Sequence, residues 1–329
     1  MANILVTGGT GQIGTYACLD LAQQGNSVIA FDFKPNPPSP WSLMEKIQTQ
    51  AGDVLDLKEL LNVIKTREVT HVVHLAALLV FESKQNPARA INVNCLGFAN
   101  VLEAARLLDI SRVVFASSVA VYGSPNFYPG NRVSEEDFPH CPNDPYSATK
   151  FLNESIGEFY RNTYGLDILC MRVAGAWGPG RYSGYTGQFN DFLRRAASGE
   201  QASLPEDFAF SGSKLRWLYV KEMGSCFSYG AVVEKSKAKR GLYNVGSREP
   251  FNSGDLVRAI TGFLPDAKIN FEERDKPTKL SLEIPGPSGL DVDCSRFHDE
   301  LGYRERLGLK ESVKDMINYE RKVAGLSSI

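Results

Sequence analysis

The first two thirds of the chain alternate short apolar, β-branched runs with longer stretches in which apolar positions recur every three to four residues. NILVT (3–7), SVIAFD (27–32), HVVHLAA (71–77), RVVFASS (112–118) and LDILCMRV (166–173) read as strands, with a weaker one in IQTQAGD (47–53). Such near-continuous apolar strands belong to sheets covered on both faces. Helical periodicity fills the gaps: from the first glycine-rich turn to about Gln24, over LKELLNVIKTR (57–67), over 87–108, and over 146–164. Strand–helix alternation predicts an α/β fold, a doubly wound parallel sheet with right-handed crossovers. Beyond about residue 175 the pattern loosens. Helices near 186–199, 221–234, 252–263 and 309–324 mix with short strands near 215–220, 242–245 and 268–272. We expect a sheet domain over 1–175, with later segments returning to it, and a smaller lobe over 176–329 that covers the sheet's C-terminal edge.

VTGGTGQIG (6–14) lies between the first strand and the first helix. It satisfies Gly8-x-x-Gly11-x-x-Gly14 and Gly9-x-Gly11-x-x-Gly14 together. Glycines at this junction allow a tight turn, close approach to a pyrophosphate, and tight packing of helix on strand, the hallmark of a dinucleotide-binding (Rossmann) unit. The helix N-terminus turns unpaired N–H groups toward the phosphates. Asp32 ends the second strand, 18 residues after Gly14, where a carboxylate accepts hydrogen bonds from a ribose diol and repels a 2′-phosphate. That favours NAD over NADP, with Lys34 nearby pulling the other way. Asp53 meets the adenine, or else caps the next helix or serves a turn; its spacing fits each.

Composition narrows the class. Of 329 residues, 43% are hydrophobic and 22% charged, and the formal charge is −2, so bulk attraction to nucleic acid or anionic membrane is not expected. The densest basic run, EKSKAKRG (234–241), reads as a solvated helix end. The cysteines (Cys18, Cys95, Cys141, Cys170, Cys226, Cys294) form no C-x-x-C and match no zinc spacing, so no metal site is expected. No apolar run is long enough for a membrane span, and the N-terminus opens as a strand, so the expected setting is cytoplasmic and reducing.

DPYSATK (144–150) carries the chemistry. Tyr146 and Lys150 are four apart at a helix start, hence on one face. A free tyrosine titrates near 10 and is a poor base; a neighbouring ammonium and an oxidised nicotinamide both favour the phenolate. The pair is expected to be a tuned base and its tuner, with Lys150 also holding the nicotinamide ribose. Ser117 and Ser118 end the fifth strand, at the edge where such sheets bind ligands, and Ser118 is expected to stabilise a developing alkoxide.

Together these residues resemble the extended short-chain dehydrogenase/reductase superfamily, in its NAD-dependent epimerase/dehydratase branch. The resemblance rests on GGTGQIG (8–14), Asp32, GDV (52–54), HLAA (74–77), NVNCLGFANVLEAAR (92–106), SSVAVYG (117–123), YSATK (146–150), RVAGAWGPG (172–180) and RWLYVKEM (216–223). It implies NAD held by Gly8, Gly11, Gln12, Ile13, Gly14, Asp32, Asp53, Val54, Leu75, Ala76, Ala77, Asn94, Tyr146 and Lys150, and catalysis by Ser118, Tyr146 and Lys150. It also implies a homodimer through helices 87–108 and 146–164. Substrate contacts are expected from Leu78, Ser118, Gly175, Arg181 and Arg216. Sugar-nucleotide epimerases of this branch usually carry Asn where this chain has Gly175, and an Arg near 285 that is missing here. SSVAVYG and QNPARAINVN (85–94) also look like its threonine dehydrogenases, while Val119 and Ala120 replace the acidic pair of its dehydratases. Three functions stay open. We lean toward a 4-epimerase-like enzyme on a sugar or sugar nucleotide; the alternatives are a dehydrogenase of a small hydroxy compound releasing NADH, and a non-catalytic NAD sensor. The loops 123–145 and 178–189, rich in Gly, Pro and Tyr, are expected to close over the substrate.

Overall fold

In the computed structural model, residues 1–35, 46–140, 144–182, 184–279 and 289–329 are described. Seven parallel strands form the main sheet: β1 (Asn3–Thr7), β2 (Ser27–Asp32), β3 (Ile47–Ala51), β4 (His71–His74), β5 (Arg112–Ser118), β6 (Ile168–Val173) and β7 (Leu242–Val245), in the order β7-β6-β5-β4-β1-β2-β3. The order reverses between β1 and β4. That is the crevice in which open α/β sheets bind ligands.

Alternation along each strand feeds two cores. Ile4 and Val6 of β1 point to one face, where Ala17, Cys18 and Leu21 of helix α1 (Gln12–Gln23) meet residues from Val220–Val232. Leu5 points to the other, with Leu60 and Val63 of helix α2 (Leu57–Thr66) and Phe98, Val101 and Leu102 of helix α3 (Gly97–Leu107). Helix α4 (Pro145–Tyr164) covers the same face over β5. A third, separate core is built on Trp177, Phe189, Phe192, Phe208 and Trp217. There helix α5 (Gly184–Ala197), helix α6 (Ser253–Phe263) and helix α7 (Leu309–Val323) pack together.

The later segments that return to the sheet can be located, and one expected helix changes. The strand at 242–245 completes the main sheet beside β6, and Val220–Val232 packs on α1. The segment beyond 175 therefore returns to the sheet twice. The helix expected over 87–108 is interrupted: Pro87–Ala90 is followed by a π turn at Ile91–Leu96 before α3 begins. The π turn puts Asn94 inward, at 1% exposure, and leaves its carbonyl to accept from Asn153 Nδ2 at 2.8 Å. The Pro-rich loop after β2, Cys141 and the start of the 284–303 segment lie outside the described residues.

Candidate active site

The glycine turn has no room for side chains. A Cβ on Gly8 would lie 2.8 Å from Ala76 N, and one on Gly14 would lie 2.1 Å from Gly8 O. Gly8 also has φ +67°. Gly11 caps α1 with no side-chain hydrogen bond, so the first N–H groups of the helix face the crevice. Asp32 Oδ2 accepts from Thr10 N at 3.1 Å and Thr10 Oγ1 at 2.8 Å, which brings the carboxylate against the turn. This cradle, with an uncapped helix end and a carboxylate at the tip of β2, fits a dinucleotide.

Other expected cofactor contacts are placed differently. Asp53 Oδ1 accepts from Leu55 N at 2.9 Å, while Asp56 caps α2, so Asp53 serves a local turn in this geometry. Val54 is buried against Gly97. Ile13 packs against the core on the α1 side of the sheet. Leu75 and Ala76 follow β4 and donate from their backbones to Thr7 O and Thr7 Oγ1; Ala77 continues the same half-buried turn. The Asn94 side chain, expected on the cofactor, also bonds within the protein. Its Oδ1 accepts from Leu78 N at 2.7 Å, and its Nδ2 donates to Leu78 O and Thr149 Oγ1 at 3.0 Å each. It ties the Leu75–Leu78 turn to α4, and leaves Leu78 positioned by its backbone. Gln12 Nε2 crosses the crevice to Gly178 O at 2.9 Å, a bridge that the sequence does not announce.

The start of α4 is built by Asp144, whose Oδ1 accepts from Tyr146 N at 2.8 Å and Ser147 N at 3.1 Å, with Pro145 in the first turn. This fixes Tyr146 near the end of β5, with the Ser118 hydroxyl close enough to influence its phenol. Lys150 is 4% exposed; its Nζ donates to Ala116 O at 2.6 Å and lies 5.6 Å from the Tyr146 ring centroid. Burial, which i, i+4 spacing does not reveal, dominates the pKa of both side chains. Burial pushes the Tyr146 phenol up to about 12, against the opposing pull of Ser118 and Arg181. Burial also brings Lys150 down to about 8, opposed by the Cys170 and Cys95 thiols and the Glu154 carboxylate. The ammonium is engaged with the sheet through the Ala116 carbonyl.

Three tentative substrate residues separate. Arg181 is half-buried, its guanidinium influenced by Glu82 and Tyr146, and its carbonyl accepts from Asn190 Nδ2 at 2.8 Å. Gly175 is covered: a Cβ there would lie 2.2 Å from Trp217 Cδ1. Arg216 is gripped by Asp291 through Nε at 2.5 Å and Nη2 at 3.2 Å, and also donates to Ser247 O at 3.3 Å, so it is committed within the protein rather than offered to a ligand. Ser117, the neighbour of Ser118, bonds to Glu154 instead, and Glu154 takes a bidentate pair from Arg172. A cavity of about 970 Å³ lies between Arg248, Arg258, Arg304 and Lys310; neither Ser118 nor Tyr146 lines it. Among the described residues, no cluster of His, Cys, Asp or Glu could hold a metal, and no helix is long and apolar enough to cross a membrane.

A glycine cradle at a sheet's switch point, facing a Ser–Tyr–Lys constellation at the end of β5, defines a nicotinamide-dependent enzyme of hydride transfer. Residues 4–246 match the NAD dependent epimerase/dehydratase family, and the chain belongs to it. It is 27% identical over 293 residues to the UDP-glucose 4-epimerase of Halalkalibacterium halodurans, covering 84% of this chain and 86% of that one. Two solved structures share the fold. The Thermotoga maritima UDP-glucose 4-epimerase with UDP-glucose has TM-score 0.81 and 24% identity, over 98% and 99% of the two chains. The Trypanosoma brucei L-threonine 3-dehydrogenase has TM-score 0.84 and 22% identity, over 100% of both.

Proposed function

We propose that this NAD-dependent enzyme oxidises a secondary alcohol carbon of a sugar or sugar nucleotide in the manner of a 4-epimerase. The carrying observation is the Ser118–Tyr146 pair at the tip of β5, one helical turn from Lys150 and across the crevice from the glycine turn. Bound NAD supplies the hydride acceptor and donor. Gly8, Gly11, Gln12, Ile13, Gly14 and Asp32 hold it, while Val54, Leu75, Ala76 and Ala77 shape the crevice walls. Tyr146 takes the hydroxyl proton, and Ser118 donates to the oxygen on which negative charge develops. Lys150 supplies positive charge that, with cofactor bound, favours the phenolate. The second lobe, 176–329, closes over the substrate, with Leu78 and Arg181 toward it. A relative matched over most of the chain is a UDP-glucose 4-epimerase, which supports this reading.

One observation favours a second reading, a dehydrogenase of a small hydroxy compound. Trp217 fills the space beside Gly175 and Asp291 occupies Arg216, which removes two places where a nucleoside diphosphate would be held. The intact Ser118, Tyr146 and Lys150 speak against a non-catalytic sensor. The NAD-loaded protein is to be offered UDP-glucose, UDP-glucuronate and L-threonine, following NADH absorbance and product stereochemistry together. An isomer without net NADH is the expected result; net NADH from threonine selects the second reading; no conversion of any of the three sinks both substrate assignments.

We infer also that two copies pair through the helices at 87–108 and 146–164. Ile91, Leu96, Leu152, Phe159 and Tyr164 are exposed there, at 47–55%. Light scattering at micromolar concentration should give twice the 36.3 kDa chain mass. A reducing, cytoplasmic setting goes with the five described cysteines, all buried and free.

A further inference from the structure

Helix α4 climbs β5 by a series of paired contacts. Gly157 packs on the Phe115 ring, Lys150 Nζ donates to Ala116 O, and Tyr146 meets Ser118. Between them lies Glu154, one turn beyond Lys150 on the same face. Its Oε1 accepts from the Ser117 hydroxyl, and its two oxygens accept from Arg172 Nε at 2.9 Å and Nη2 at 2.7 Å. Arg172 Nη1 continues to the Tyr122 hydroxyl at 2.8 Å, and its guanidinium lies 4.8 Å from the Tyr122 ring centroid. Tyr122 ends the 3₁₀ turn that begins directly after Ser118. One carboxylate thus holds the residue before Ser118 directly, and the turn after it through Arg172.

The cluster is deep. Arg172, Ser117 and Tyr122 are 3%, 1% and 0% exposed. A buried ion pair of this kind is rarely more stable than a well-packed apolar pair, because desolvation consumes most of the Coulomb attraction. Its distinguishing property is direction: bidentate geometry admits one arrangement of helix against strand.

We propose that Glu154 is a positioning residue: with Ser117 and Arg172 it clamps α4 to the end of β5 and so sets how closely Ser118 approaches Tyr146. This rests on the reading of Ser118 and Tyr146 as a working pair, and it extends that reading to side chains that touch neither substrate nor cofactor.

The test needs only NAD. Tyrosinate absorbance of the NAD-saturated protein is followed against pH, and the Tyr146→Phe spectrum is subtracted to isolate Tyr146. A hydrogen bond to the ionised form favours it, so Ser118→Ala should move the Tyr146 titration upward by about one pH unit. Glu154→Gln and Ser117→Ala should move it the same way. Adding Glu154→Gln to Ser118→Ala should produce no further shift. Ser117→Ala leaves the Glu154–Arg172 pair in place, so the test survives if Glu154→Gln folds poorly. A role confined to stability would lower the melting temperature and leave the titration in place. If Ser118→Ala leaves the titration unmoved, the pairing of Ser118 with Tyr146 falls. If Ser118→Ala moves it while Glu154→Gln and Ser117→Ala do not, the clamp alone falls.

Discussion

Gly175→Ala asks whether Trp217 really occupies the space that a side chain would claim. The new Cβ would lie 2.2 Å from Cδ1, 2.3 Å from Nε1 and 2.5 Å from Cγ of the indole. Carbon atoms settle at about 3.5–4.0 Å, so the ring must retreat by more than about 1 Å. It has nowhere easy to go. Trp217 is 3% exposed, with Phe189 and Phe208 ring centroids at 5.4 and 5.7 Å, and the backbone at 175 is held by Leu218 N donating to Gly175 O at 3.0 Å. Overpacking of this kind costs about 1–3 kcal/mol. Replacing glycine by alanine at a permitted φ returns about 0.4–1 kcal/mol through the unfolded chain. The net loss is on the order of 1–2 kcal/mol, a fall in melting temperature of several degrees.

The assay is thermal and urea unfolding followed by near-UV circular dichroism, where the indole itself reports. Trp217→Leu, alone and combined with Gly175→Ala, completes a double-mutant cycle. Residues in direct conflict should show a coupling of about 0.5–3 kcal/mol, with the double variant more stable than the sum predicts. The functional half follows from the same contact. If the indole is what closes this end of the pocket, Trp217→Ala should raise UDP affinity in calorimetric titration of the NAD-saturated protein. Gly175→Ala at wild-type stability, with no coupling to Trp217, would falsify the reasoning.

Three further outcomes are expected. Tyr146→Phe should lower turnover by about 10²–10⁴-fold with NAD affinity within a few-fold, and a variant keeping more than about a tenth of wild-type activity would remove Tyr146 from proton transfer. Asp32→Ala should weaken NAD and improve NADP binding in a fluorescence titration; equal affinities in the wild type would count against Asp32 as the discriminator. His74, 3% exposed and bonded to Thr7 Oγ1 at 2.8 Å, is held neutral by burial with its pKa near 3. The unfolded chain binds this proton near 6.5, so stability is full above that pH and falls as pH drops toward 3, by about 3 kcal/mol at pH 4. His74→Gln should flatten the slope between pH 6.5 and 4, and an unchanged slope would refute the assignment.

Features read from the sequence succeeded where a local rule left one solution. GGTGQIG between an apolar strand and a helix admits little but a phosphate-binding turn, and Asp-Pro-Tyr-Ser starts a helix with Tyr146 in its first turn. What stayed hidden depends on partners far along the chain. Arg216 reads as a free cation until Asp291, 75 residues later, is folded against it. Gly175 reads as an absent side chain until Trp217 is seen to occupy its place. The tyrosine's expected tuning followed from i, i+4 spacing with Lys150, which places two groups on one face but says nothing of burial, and burial dominates both pKa values. Glu154 is the instructive intermediate. Its spacing from Lys150 repeats that of Lys150 from Tyr146, and the lone arginine of the ILCMRV strand demanded a buried acid. Neither half of that pair was singled out from the sequence, and joining them requires the crossover of α4 from β5 to β6. The residues proposed to touch ligand are thus marked by local spacing, whereas those proposed to hold them in register are marked only by a polar group out of place in an apolar element.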